Sequence, residues 1–175
     1  VVISGNTIEN NLAGESMQIP YDPYVLYNLS GDGGGISSGG IGAQILNNII
    51  KGNKASKGGG IEGIGTITGN TIINNEGGGF YTNGGSNSPF NNNFVLNNNG
   101  YGIKVEGGKN LTGNIISGNG GALYYKHTGG DSFSVFNNTI FNNTGTPVVY
   151  LKSESDNGIL EVKNNTIVGN SGSPT

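Results

Sequence analysis

The chain has 175 residues, 35 of them Gly and none Cys or Trp, and a net charge of -3 from 8 lysines and 11 acids, with no Arg. Without arginine or a basic cluster it does not read as a nucleic-acid binder, and without cysteine it has no disulfide or thiolate metal site. No run of 18 apolar residues offers a membrane-spanning helix, and the glycines follow no Gly-X-Y period, which excludes collagen.

The first element is a strand, Val1-Val2-Ile3-Ser4, closed by Gly5-Asn6. A second strand with Ile8 follows and ends at Asn11. The segment from about Leu12 to Asp32 then breaks the pattern with Pro20, Pro23, Tyr21, Tyr24 and Tyr27. From Gly33 the pattern resumes with a third strand anchored on Ile36. The same positions recur as Ile45, Asn48, Ile50, Asn53, Ile61, then Ile67, Asn70, Ile72, Asn75, Phe80, then Phe90, Asn93, Val95, Asn98, Ile103. They continue as Leu111, Asn114, Ile116, Asn119, Leu123, then Val135, Asn138, Ile140, Asn143, Val148, and end with Val162, Asn165, Ile167, Asn170. From Asn48 onward the first Asn returns after 22, 23, 21, 24 and 27 residues, and after 42 across the interruption.

A period of about 22 residues is too short for a helical solenoid repeat, and the alternation inside it is that of strands. In Gly65–Asn75, Ile67 and Ile72 point one way while Thr66, Thr68, Thr71 and Ile73 point the other. The Gly or Asn before each first Asn suits a left-handed turn between two short strands. The fold expected is all-β, a right-handed single-stranded parallel β-helix of about seven coils. It forms one domain over 1–175 with an inserted loop at about 12–32. Stacked coils join short inward faces into one core and align the asparagines into two ladders. One ladder is Asn6, Asn48, Asn70, Asn93, Asn114, Asn138 and Asn165; the other is Asn11, Asn53, Asn75, Asn98, Asn119, Asn143 and Asn170. Each amide is expected to donate to one neighbouring coil and accept from the other. A single Asn reads equally well as a surface turn residue, and Gly/Asn-rich sequence as disorder. Fourteen asparagines in register, with aliphatic residues at fixed offsets, favour the ladders.

Residues for chemistry are sparse. His127 is the only His and, beside Asp131, reads as a solvated turn residue. Glu62 and Glu106 fall on the third strand two coils apart, roughly 10 Å by strand spacing, too scattered for a glycosidase pair. Glu15, Asp22 and Asp32 lack the spacing of a calcium loop. No catalytic residue, cofactor or metal site is assigned, and the chain reads as a non-enzyme. The insertion reads either as a loop shielding a coil edge or as a binding element.

Two outward faces carry more information. The strand after the first Asn exposes Phe94, Leu96, Ile115 and Phe141, an apolar stripe that marks a candidate interface. The Thr positions among them suggest an ice-binding array, but the Phe and Leu spoil its regularity. The third strand exposes Tyr81, Lys104, Tyr124 and Lys126, either an ordinary solvated face or a candidate sugar-contact face. Asn28, Asn110, Asn137, Asn142 and Asn164 head glycan acceptor sequons, several of them by-products of the repeat's Asn-Asn-Thr. The ends, at Val1 and Thr175, carry no cap, which suggests a segment of a longer solenoid or axial stacking of copies.

The run Ile67-Thr68-Gly69-Asn70-Thr71-Ile72-Ile73-Asn74-Asn75, with Gly77-Gly78-Gly79-Phe80 after it, resembles the β-helix repeats of adhesin-like surface proteins of methanogens. Gly120-Gly121-Ala122-Leu123 and Phe94-Val95-Leu96-Asn97 are similar to the short motifs of polymorphic outer-membrane proteins. The resemblance covers the chain outside Leu12–Asp32. It implies an extracellular or cell-surface location and a structural or adhesive role. The expected partners are copies of the chain, joined axially or laterally, or glycans and other cell-surface molecules. The alternative is a carbohydrate-binding or polysaccharide-degrading β-helix module using the Tyr/Lys face.

Overall fold

The computed structural model describes residues 1–13, 32–40 and 42–172. Most of the insertion, with Glu15, Asp22 and Asn28, lies outside the described residues. Seven three-residue strands stack in parallel into one sheet: Thr7–Glu9, Ile49–Lys51, Thr71–Ile73, Phe94–Leu96, Ile115–Ser117, Thr139–Phe141 and Thr166–Val168. Seven rungs enclose six full turns. Register is kept without a slip, so Ile8, Ile50, Ile72, Val95, Ile116, Ile140 and Ile167 form one column. The two remaining strands of each coil belong to a second, 12-stranded sheet, merged through the long strand Tyr101–Thr112. Every pairing between named strands is parallel, as coils of one solenoid require.

The core is the set of positions read as inward, except in the outermost coils, where Ile3 and Ile8 are partly buried and Val162 and Ile167 are exposed. Ile45, Ile67, Phe90, Leu111 and Val135 fill one column, Ile36, Ile61, Phe80, Ile103 and Leu123 another, all buried. A three-residue strand buries one side chain, worth about 1.5–3 kcal/mol, which is too little to hold it alone. Stacking makes the burial cooperative. The one anchor that shifts is Val148. Leu123 pairs with Val149, and both valines are partly buried against the core. The glycines before each third strand are a packing requirement as well as turn elements. A Cβ on Gly60 would lie 2.6 Å from both Gly79 O and the Ile72 Cγ2 methyl.

The asparagine ladders are buried and more fully bonded than simple donor-acceptor stacking requires. Asn75 is representative. Its Oδ1 accepts the backbone N–H of Asn53 at 2.9 Å and the Asn53 Nδ2 at 3.1 Å. Its own Nδ2 donates forward to Asn98 Oδ1 at 3.0 Å and back to Ile50 O at 3.0 Å. Two lone pairs and two N–H groups are thus all used. The second ladder repeats this at Asn48, Asn70, Asn93, Asn114 and Asn138. Each interior Asn clamps three consecutive coils, while Asn6, Asn11, Asn165 and Asn170 join two, and no buried side-chain polar atom among the described residues lacks a partner. Both corners need left-handed backbone. The residue before every ladder Asn has φ of 51–69°, from Gly5 and Asn47 to Asn164 at one corner and from Asn10 and Gly52 to Gly169 at the other. Each is Gly or Asn, the residues that pay least for that conformation.

His127 is a correction. Instead of lying in a solvated turn it is fully buried. The strand Gly121–His127 runs four residues past Leu123, so alternation carries Leu123, Tyr125 and His127 inside. Nε2 sits 2.8 Å from the Asp131 carbonyl, which only accepts. In the neutral ring Nε2 therefore carries the proton, and Nδ1 accepts from Ser153 Oγ at 3.0 Å.

Two predictions follow from the ladder and the alternation. Asn98→Ala should cost about 3 kcal/mol or more, because it strands the Asn75 donors and the Ile72 carbonyl, whereas exposed Asn99→Ala should stay within about 0.5 kcal/mol. Urea unfolding of the two variants makes the comparison. Ile72→Asp should abolish folding while Thr71→Asp leaves the circular dichroism spectrum unchanged.

Candidate functional site

The apolar stripe lies on the outer face of the seven-stranded sheet. Phe94 pairs with Ile115 on one side and Thr71 on the other, and Leu96 with Ser117 and Ile73. Ser117 in turn pairs with Phe141. Two outward rows result. One runs Ile49, Thr71, Phe94, Ile115; the other runs Ile73, Leu96, Ser117, Phe141. Phe94 and Ile49 are each 46% exposed, and Leu96, Ile115 and Phe141 are half-buried by their neighbours. An all-parallel sheet is usually covered on both faces. Here the outer face carries large apolar side chains, with an ion pair, Glu9–Lys51 at 2.7 Å, lying at one end.

The Tyr/Lys face is arranged differently from a free aromatic platform. Tyr81, Lys104, Tyr124 and Tyr150 form one row across adjacent strands, with Glu106, Lys126 and Lys152 in the row beside it. The Lys104 ammonium lies over the rings of Tyr81 and Tyr124, 5.6 and 5.3 Å from their centroids, and Lys57 covers Tyr81 from the next coil at 5.1 Å. Tyr81 is therefore only 3% exposed, although it points outward. Tyr124 and Tyr150 stack on each other at 4.7 Å and 10°, each covering a face of the other. Lys126 and Lys152 converge on Glu154 at 2.8 and 2.6 Å. Most of the candidate sugar-contact groups are thus bonded to one another. What remains open is a cleft of about 230 Å³ bounded by Lys57, Tyr81, Tyr101, Lys104 and the glycine backbone at Gly77 and Gly100.

Electrostatics follow from the same packing. Burial, then the hydrogen bond to Glu106 and the nearby charges of Glu106, Asp32 and Glu62, push the Tyr81 phenol up to about 12. For Glu106 burial works against ionisation. Hydrogen bonds from Lys104 and Tyr81, with the charges of Lys104 and Lys57, outweigh it and hold the carboxyl below its usual range. Glu62 is occupied separately by Ser37 Oγ at 2.7 Å, so the two acids do not form a pair.

Among the sequons, Asn137, Asn142 and Asn164 are exposed at left-handed corners, while their ladder partners Asn138 and Asn143 are buried. Asn110 is half-buried with Oδ1 accepting from Ser134 N and Oγ. Asp32 accepts from Ser56 Oγ at 2.8 Å. No cluster of three metal-ligating side chains occurs among the described residues. Sequence reading passed over Lys109, which is fully buried. Alternation back from inward Leu111 was the available signal.

The family model described as "Right handed beta helix region" matches residues 1–134 and again 65–174, in keeping with right-handed winding of the coils. No curated protein and no solved structure is a significant match. Tyr81→Phe removes one of the bonds that favour the Glu106 carboxylate. Its titration, followed by carboxyl ¹³C NMR, should move up toward the ordinary value, and the stability it supplies above that range should be lost at a higher pH as the solution is acidified.

Proposed function

We propose that this chain, which belongs to the right-handed β-helix family, is an extracellular structural or adhesive element that associates side by side with copies of itself. The observation that carries this reading is the apolar outer face of the seven-stranded sheet, with Phe94, Leu96, Ile115 and Phe141 on adjacent rungs. Water-facing sheet surfaces are normally polar, and contiguous apolar patches of this kind mark association surfaces. The similarity of the repeat to those of surface proteins supports the location. Each strand offers roughly 10 Å of width and seven rungs span roughly 30 Å, so one face supplies only about 300 Å². That is well short of the roughly 800 Å² per partner of a standard stable complex. The contact is therefore weak singly and becomes effective when repeated, as in a filament or surface layer, where avidity adds up many modest contacts.

A second reading rests on the cleft beside Tyr101. Among the described residues Lys57 makes no ion pair there, and the aromatic walls and backbone edges suit a saccharide unit. In that reading the chain is a carbohydrate-binding module. Isothermal titration against neutral and acidic oligosaccharides, with Tyr101→Ala as control, separates it from the first. In a host that attaches N-linked glycans, Asn137, Asn142 and Asn164 are the acceptors this fold leaves open among the described residues.

Analytical ultracentrifugation at micromolar to millimolar concentration tests the main reading. The wild-type chain should show concentration-dependent association, which Phe94→Lys with Phe141→Lys removes without lowering thermal stability. A monomer at every concentration, unchanged by the double substitution, would leave the binding module as the better reading.

A further inference from the structure

Lys109 lies fully inside the solenoid on the strand Tyr101–Thr112. Its ammonium nitrogen is 2.5 Å from the carbonyl of Gly65, 44 residues and two coils away. The side chain therefore runs along the solenoid axis past the intervening coil. At this corner the earlier coils carry Ala43 and Gly65, while the later ones carry Phe133 and Leu160, which pair with each other. The small residues leave a hollow, and the four methylenes of Lys109 fill it. Tyr125 locks the base of the side chain, its hydroxyl accepting from Lys109 N and donating to Lys109 O, both at 2.7 Å.

A buried ammonium is tolerated when a carboxylate pairs with it. None does so among the described residues. The elements packed around Lys109 explain why. Thr66–Thr68 and Gly85–Asn91 contain no charged residue, and neither does Phe133–Phe136. Phe80–Thr82 brings the Phe80 ring, 6.0 Å from the ammonium, and Tyr81, which faces out to Glu106. From Gly121–His127 come Tyr125, whose phenol burial holds well above its usual value, and His127, bonded to Ser153 and Asp131. Lys126 on that strand faces out to Glu154, and on the Lys109 strand itself Lys104 and Glu106 face out to each other.

We propose that Lys109 is a proton-sensitive pin: the coils from Gly65 to Lys109 hold together most tightly around the neutral amine and loosen when it takes up a proton. Burial pushes this amine down from its ordinary 10.5 to about 8. The folded value lies below the unfolded one, so the unfolded chain holds the extra proton between them. Stability therefore rises with pH across that window and reaches its full value above it, while below about 8 both states are charged and the gain is absent. Near neutrality Lys109 is mostly charged in both states, so the middle coils firm only as the pH rises through about 8 or as a change in the charge around the amine lowers its proton affinity further.

Two measurements on the intact chain test the proposal. The Lys109 ¹³Cε resonance should titrate near pH 8, and the unfolding equilibrium constant should fall roughly 20-fold between pH 7.5 and 9.5. Lys109→Met keeps the stem in the hollow and removes the charge, so it should be more stable at pH 7.5 and lose that pH dependence. Titration of Lys109 at the ordinary lysine value would overturn the proposal, as would a Met variant with the wild-type slope. If the Met variant does not fold, the wild-type titration decides alone.

Discussion

The constraint on which this structure depends is the side-chain amide of asparagine, repeated in two columns. A coil of short strands has too little inward surface to fix its own position, and a parallel stack could slide or tilt. The amide at each corner removes that freedom. It accepts twice from the coil before and donates to the coils before and after, and it does so next to the left-handed residue where the chain changes direction. Displacing one coil would leave buried donors unpaired in both ladders at once, and such losses cost several kcal/mol each time. The aliphatic columns supply the bulk of the stabilisation, and the asparagines supply its registration.

Once registration is held from inside, the outer faces are free to differ. The seven-stranded sheet turns apolar residues outward, and the third strand turns out a closed set of tyrosines, lysines and glutamates. These two solutions have different consequences. On the Tyr/Lys face the cations lie on rings and the carboxylates accept from them, so the surface satisfies itself and adds stiffness. On the apolar face Phe94 remains 46% exposed among the described residues, which is why the assembly reading rests there and not on the charged side.

Most of the fold was legible because both signals are short-range and periodic. An inward Ile two residues after a Gly-Asn or Asn-Asn corner needs no knowledge of distant parts of the chain. The second left-handed column, from Asn10 to Gly169, was equally visible as Gly or Asn before each second ladder Asn, and sequence reading used only the first. What escaped depended on where strands stop. His127 became buried because its strand runs on beside the long strand Tyr101–Thr112, past the three-residue length of the third strands in the earlier coils, and Tyr81 because lysines from two other coils close over it. Val148 gave way to Val149 through a one-residue shift. Lys109 was overlooked because a charged residue is assumed to face water, and the hollow it fills exists only when Ala43 and Gly65 are stacked near it. The insertion at about 12–32 has no periodic neighbour and was readable only as an interruption.

The ladder account is tested most directly by the exchange rates of asparagine side-chain amide protons, measured residue by residue by NMR. Asn70, Asn75, Asn93, Asn98, Asn114 and Asn119 should exchange only on global unfolding, since both Nδ2 protons are bonded and buried. Asn47, Asn74, Asn92 and Asn97, one residue away and exposed, should exchange at the rate of free amides. A single fast class containing all ten would mean that the columns are surface turns and that something other than the asparagines holds the coils in register.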